Sequence, residues 1–177
     1  MYKLKLTIMQ QETLEFLFTY PEKSFTGRTI AKSLNASQPG ISKALVILKK
    51  EGLITVQKDK ESKRLNITLN RNNDLILGLK RANNMRRLYE SGLVSFLEDQ
   101  LPGATIVLFG SYSHGDDIST SDIDIAVVTN THKEFHLEKF EKILLRKVSL
   151  HEIDSKKISK EFHNNLINGI VLEGALS

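Results

Sequence analysis

The chain has 177 residues, 40% of them hydrophobic, and no cysteine. That length and apolar content suffice for one ordinary domain or two small ones, and the missing thiols exclude disulfides and thiolate metal sites, so any metal must be held by carboxylates, histidines or phosphate. The net charge of +4 is unevenly spread: residues 1–70 carry 12 Lys and Arg against 6 Asp and Glu, whereas residues 101–177 carry 8 against 11. A basic front suggests a polyanionic partner and an acidic rear suggests a bound cation. No apolar run approaches the roughly 18 residues that a membrane span needs, and the first residues lack the apolar core of a signal peptide, so the expectation is a cytoplasmic protein without membrane association.

In chain order, Leu14, Leu17 and Phe18 recur at helical spacing over Gln11 to Phe18, and Pro21 stops that helix. Thr26 is placed to cap a short second helix with Ile30, Ala31 and Leu34 on one face, and Asn35 suits its terminating turn. Ser37 is placed to cap a third, with Ile41, Ala44, Leu45 and Leu48 on its apolar face, and Glu51-Gly52 ends it. Pro39 is welcome in a first helical turn, but Gly40 lowers local helicity and predicts a loose start. Residues 53–56 and 65–69 alternate as two strands around the charged tip 58–64, which is the pattern of a hairpin. From Asn73 to Leu97 the apolar spacing predicts a long connecting helix, weakened at Gly78 or Gly92. Its stripe could serve dimerisation or pack on its own domain.

The second half alternates. Residues 104–109 form an apolar strand broken at Gly110-Ser111, and 123–128 form another after a polar loop. Helical periodicity follows over 135–145, a strand over 147–153 and a helix over 155–168, which describes a small α/β domain. Leu166, Ile167, Ile170, Val171 and Leu172 read as an apolar tail that packs on the sheet or on a second subunit.

Two short helices joined by a tight turn and followed by a charged hairpin resemble a winged helix-turn-helix over about residues 7–70, with Ala36 to Leu45 and Leu48 to Ile54 similar to the MarR/ArsR-like regulator group. The resemblance implies double-stranded DNA as partner. Ser37, Gln38, Ser42 and Lys43 are then placed to face base edges, while Lys43, Lys58, Lys60, Lys63 and Arg64 neutralise phosphates. A protein-binding winged helix whose wing lysines are only a solvated tip is the plainer alternative.

The strongest signal spans residues 108–128. Gly110-Ser111 leaves a buried strand and opens a helix, so its bare N–H groups and hydroxyl can point at an anion. Asp122 and Asp124 are two apart, which in an extended chain puts both carboxylates on one face, while Ile123, Ile125 and Val127 anchor the other in the core. Adjacent carboxylates repel unless a cation lies between them, so an oxygen-seeking divalent metal is the simple resolution.

Gly110-Ser111, Gly115 and Ser121-Asp122-Ile123-Asp124, in that order between two apolar strands, resemble the Gly-Ser, Gly, Ser-Asp-x-Asp pattern of the DNA polymerase β-like nucleotidyltransferase superfamily, most closely its minimal branch, over roughly residues 95–175. The resemblance implies transfer of a nucleoside monophosphate from a nucleoside triphosphate such as ATP to a hydroxyl, with Mg²⁺ or Mn²⁺ on Asp122 and Asp124 and with Gly110, Ser111 and Ser121 at the nucleotide. It also implies a third carboxylate on a later strand, where Ser149 stands in the expected place. Glu152 is the nearest acid on that strand, taken as the third catalytic carboxylate if a bulge turns it inward, and His151 shares the side of Ser149. His114 stands where the branch often has Arg, and Asp116 and Asp117 read as loop acids or helix caps. His132, His136 and His163 show no metal-ligand spacing.

The combined expectation is an α+β chain of two domains: a winged helix over 1–70, a connecting helix over 71–100, and an α/β nucleotidyltransferase fold with a small mixed sheet over 101–177. Two functions remain open at this point. One is a DNA-associated enzyme. The other is a transcriptional regulator whose noncatalytic rear domain senses nucleotide or pairs with a toxin-like protein, as a monomer or a homodimer.

Overall fold

A computed structural model of the chain describes residues 4–129, 133–153, 166 and 168–175. The chain divides into two compact units, Met1–Lys80 and Arg81–Ser177.

In the front unit α1 runs Ile8–Thr19. It starts a turn earlier than apolar spacing predicts, because Thr7 and Gln10 close a capping box upstream of the first apolar position: the Gln10 N–H donates to Thr7 Oγ1 and the Thr7 N–H to Gln10 Oε1. Helix α2 (Gly27–Ser33) is capped by Thr26 and ends where Asn35 takes φ 49°. Helix α3 (Gln38–Lys50) is capped by Ser37, which accepts the Gly40 N–H, and is helical from Gln38 onward. Strands β1 (Ile54–Lys58) and β2 (Leu65–Leu69) pair antiparallel with Val56 opposite Ile67. Leu17, Ile30, Ile41, Leu48 and Leu53 are fully buried among these elements, each contributing roughly 1.5–3 kcal/mol by leaving water. The fold is a winged helix.

The predicted connector is two helices. Helix α4 (Asp74–Glu90) stops at Gly92, which takes φ 77°, and α5 (Leu93–Gln100) begins at once. Ser91 secures the break, its hydroxyl donating to the Leu88 carbonyl and accepting from the Leu93 N–H. The apolar stripe packs within the units, with Ile76 in the front core and Leu88, Leu93 and Leu97 in the rear core.

The rear unit is built on strands β3 (Thr105–Phe109), β4 (Ile123–Val128), β5 (Val148–Ile153) and β6 (Ile170–Glu173), in the order β5-β4-β3-β6. The β4–β5 pair is parallel and the others are antiparallel, which makes a small mixed sheet. A short α6 (Gly110–His114) follows β3, and α7 (Glu138–Leu144) precedes β5. One sheet face carries Ile106, Leu108, Ile123, Ile125 and Val127 into the main core with Leu93 and Leu97 of α5 and Phe140 and Leu144 of α7. The other carries Val107, Phe109 and Ala126 against Leu166. Residues 170–172, expected as a tail, are an edge strand. A Cβ on Gly169 would come within 2.7 Å of Val107 Cγ1 and 2.8 Å of the Leu108 carbonyl, so only glycine lets the chain enter beside β3. The predicted helix over 155–168, His132 and His163 lie outside the described residues, apart from Leu166 and Asn168.

Candidate functional site

The rear site forms where β3 turns into α6 beside the start of β4. Gly110 has φ 70°, and a Cβ there would lie 2.4 Å from Asp124 Oδ2, so the Asp124 carboxylate sits directly on the Gly110 backbone. Ser111 lies in the first turn of α6, whose N-cap residue, Phe109, supplies no side-chain acceptor to that turn. The fold thus brings the Gly-Ser turn expected from the sequence against Asp124, the second residue of the Asp pair.

The β4–β5 register decides which β5 side chains join them. Asp124 is opposite Ser149 and Ala126 opposite His151, with no irregularity along the pair. Ser149 Oγ donates to Asp122 Oδ2 at 3.4 Å, and His151 Nε2 lies 3.7 Å from Asp124 Oδ1. Glu152 is opposite Val127 and therefore on the reverse face, where its Oε1 accepts the Lys133 N–H at 3.1 Å. The expectation that Glu152 turns inward is corrected, because no bulge interrupts the parallel pairing and the side-chain period of two sends it away. Among the described residues no three His, Cys, Asp or Glu side chains gather as a metal-ligand group.

Ser121 spends its hydroxyl on the loop, accepting the Ile118 N–H at 3.0 Å. His114 is exposed, as is His136, which lies 3.8 Å from Glu138. Asp117, expected as a loop acid, is only 1% exposed; its carboxylate lies 3.6 Å from the Arg146 guanidinium and accepts from Asn84 Nδ2 at 2.8 Å. Asn84 also donates to the Tyr112 carbonyl at 2.9 Å, so α4 is tied to α6 and to the loop before β4. Nothing in local sequence pairs residues 84, 117 and 146, which are adjacent only in the fold. Burial pushes the Tyr112 phenol up to about 12, and its hydroxyl finds no hydrogen-bond partner among the described residues.

On the front unit Ser37, Gln38, Ser42 and Lys43 are exposed on α3, and Lys58, Lys60, Lys63 and Arg64 are exposed at the hairpin. The two serines are partly engaged: Ser37 Oγ accepts the Gly40 N–H, and Ser42 Oγ donates to the Gln38 carbonyl. Gln38 and Ser42 line a groove of about 750 Å³ with Arg28, Lys32 and Arg64. Arg28 and Lys32 were legible only as the polar side of α2, and the packing of α2 on α3 is what brings them beside Gln38. At the hairpin tip, Asp59 accepts from the Ser62 N–H and hydroxyl and from the Glu61 N–H, contacts that hold its carboxyl below the usual range.

A mixed sheet with a glycine turn resting on one of two like-facing aspartates defines a nucleotidyltransferase-type domain. Residues 91–175 match the nucleotidyltransferase domain family, and the chain belongs to it. It is 36% identical over 69 residues to the Methanocaldococcus jannaschii protein named Putative protein adenylyltransferase MJ0604, covering 35% of this chain and 69% of that relative. Among solved structures, the Staphylococcus aureus MepR–DNA complex aligns with a TM-score of 0.39 at 27% identity, over 54% of this chain and 66% of that one. MepR described as a transcription regulator of the multidrug efflux pump MepA aligns at 0.40 and 27%, over 55% and 67%. This chain thus spans about two thirds of the length of these structures. Among the described residues no helix is long and apolar enough to cross a membrane.

Proposed function

We propose that the rear unit transfers a nucleoside monophosphate from ATP to a hydroxyl in a Mg²⁺- or Mn²⁺-dependent reaction, and that the front unit holds double-stranded DNA. The observation that supports the first part is the contact of Asp124 with the Gly110 backbone, a carboxylate resting beside the turn read as phosphate-binding.

The donor set fits a hard divalent cation: Asp122 and Asp124 supply oxygen only, and two protein ligands leave coordination positions for phosphate oxygens and water. A bound cation would neutralise the developing charge on the phosphates. Gly110 and Ser111 orient the triphosphate tail, and Ser121 shapes the loop that carries Asp122. The acceptor oxygen then bonds to the α-phosphorus as the bond to the α,β-bridging oxygen breaks. Pyrophosphate departs with that electron pair and the hydroxyl proton passes to water. Positioning and charge neutralisation carry the reaction, without a covalent enzyme intermediate. The DNA reading rests on the exposed basic hairpin and on α3, with Gln38 and Lys43 toward bases and Lys58, Lys60, Lys63 and Arg64 toward phosphates.

A second reading, a nucleotide-sensing regulator without turnover or one that pairs with a toxin-like protein, is favoured by one observation. The β5 residue opposite Asp124 is Ser149, and Glu152 faces away. Incubation with α-labelled ATP and Mg²⁺, beside Asp122→Ala plus Asp124→Ala, separates the two. Transfer or pyrophosphate release lost in the double variant supports the enzyme, whereas tight nucleotide binding without either product supports the sensor.

A further inference from the structure

On the site face of the sheet, β5 presents Ser149 and His151 toward the aspartates, and the two side chains differ in what they can give a cation. Ser149 donates its hydroxyl to Asp122 Oδ2, so it supports a carboxylate and adds no charge. His151 brings an imidazole nitrogen, Nε2, to 3.7 Å from Asp124 Oδ1. Two donors about 2.1 Å from one ion stand about 3.0–3.6 Å apart when the angle between them is about 90–120°, so this pair is close to the spacing of neighbouring ligands.

The surroundings hold the imidazole there. Its β4 partner is Ala126, whose short side chain leaves open the diagonal from His151 to Asp124. Its ring meets the edge of Phe109, with centroids 5.2 Å apart and planes at 62°. Phe109 is opposite Asp124 on β3 and leads directly into Gly110, so the ring that orients His151 adjoins the turn on which Asp124 rests. Stability does not account for the pair. The two side chains are 43% and 30% exposed, and an ion pair that open to water contributes little to folding.

A nitrogen donor changes which ion fits. Mg²⁺ requires a near-ideal octahedron of oxygens and sheds water reluctantly, whereas divalent transition ions accept imidazole, Mn²⁺ being the first of that series. Among the described residues the two carboxylates and the imidazole do not gather as a preformed group. Carboxylates of like charge close up only around a cation, and His151, already beside Asp124, is the side chain that can complete the set.

We propose that His151 is a third protein ligand of the cation, through Nε2 beside Asp124 Oδ1, and that it sets the site to prefer Mn²⁺ over Mg²⁺. This rests on the nucleotidyl-transfer reading above, whose carboxylate pair holds the same ion.

The full chain, with its histidines labelled in heavy nitrogen and α,β-methylene ATP present, is loaded with Mn²⁺ and read by pulsed electron paramagnetic resonance. Mn²⁺ and Mg²⁺ affinities are then compared by competition titration for wild type, His151→Phe and His151→Gln. Phenylalanine keeps an aromatic ring against Phe109 and glutamine keeps a polar side chain, so a variant that retains the wild-type melting temperature reports the loss of the nitrogen alone. Expected are a directly bonded histidine nitrogen in wild type that is absent from both variants, and a Mn²⁺-to-Mg²⁺ affinity ratio that falls about ten-fold in each. Mn²⁺ bound without a histidine nitrogen, which is the result if His151 only hydrogen-bonds to Asp124, overturns the ligand assignment and leaves the Asp pair standing as the site. A nitrogen signal that persists in the variants, or an unchanged ratio, overturns it in the same way. No Mn²⁺ binding by wild type with nucleotide present overturns both this assignment and the transfer reading beneath it.

Discussion

Gly110→Ala tests the contact on which the rear site is built. The substitution has two consequences that can be separated. A residue with a Cβ in the left-handed region costs about 1–2 kcal/mol. The new methyl also stands 2.4 Å from Asp124 Oδ2, and forcing an atom into such a space costs about 1–3 kcal/mol unless the carboxylate swings away. Gly103→Ala is the control, because Gly103 has φ 79° with nothing within 4 Å of its would-be Cβ, so that variant meets only the first cost. At about 4–8 °C per kcal/mol for a unit of this size, Gly103→Ala should melt about 5–15 °C below wild type and Gly110→Ala lower still, by an amount that shrinks if Asp124 rotates. On the proposed reading rotation does not rescue function, since Asp124 is one of the two carboxylates proposed to hold the cation. Calorimetric titration with Mn²⁺ and α,β-methylene ATP should find Gly110→Ala at least ten-fold weaker and Gly103→Ala unchanged. Equal melting and equal affinity in the two variants would refute the placement of Asp124 on the turn.

The buried pair gives a second expectation: Arg146→Met leaves the buried Asp117 carboxyl without its guanidinium and should cost about 3–5 kcal/mol, read by urea unfolding, while adding Asp117→Leu recovers more than half of it. Tyr112 gives a third. Its folded pKa of about 12 lies above the unfolded value near 10, so the contribution is fully present below pH 10 and is lost as pH rises from 10 through 12. Unfolding curves across pH 9–12 should show a loss of about 2–3 kcal/mol in wild type that Tyr112→Phe does not show. Finally, Lys63→Glu with Arg64→Glu should weaken binding of a random-sequence duplex and lower the log–log salt slope by roughly 2, measured by fluorescence anisotropy; an unchanged slope would count against the wing as a phosphate contact.

Local patterns carried most of the elements. Thr26 and Ser37 cap the helices they were expected to cap, β2 and β4 occupy the expected residues, and the alternation of Ile123, Asp124 and Ile125 was enough to orient the aspartate. The failures have local causes as well. The long connector breaks at Gly92 and not at Gly78, because only the former sits where the chain takes a left-handed turn secured by Ser91. Strand β6 was missed because four residues show too little alternation to be told from a tail.

What the amino-acid order by itself determined is the set of groups that can act: a Gly-Ser turn after an apolar strand, two carboxylates on one face, a basic hairpin, and no thiol. These follow from periodicity and residue chemistry, which are properties of neighbours in the chain. Only the tertiary structure decided that Glu152 is excluded and that Ser149 and His151 stand beside the aspartates, because the facing of β5 depends on its parallel register with β4 and not on its own residues. Likewise Asn84, Asp117 and Arg146 became one buried cluster through contacts between segments far apart in sequence that no local pattern encodes.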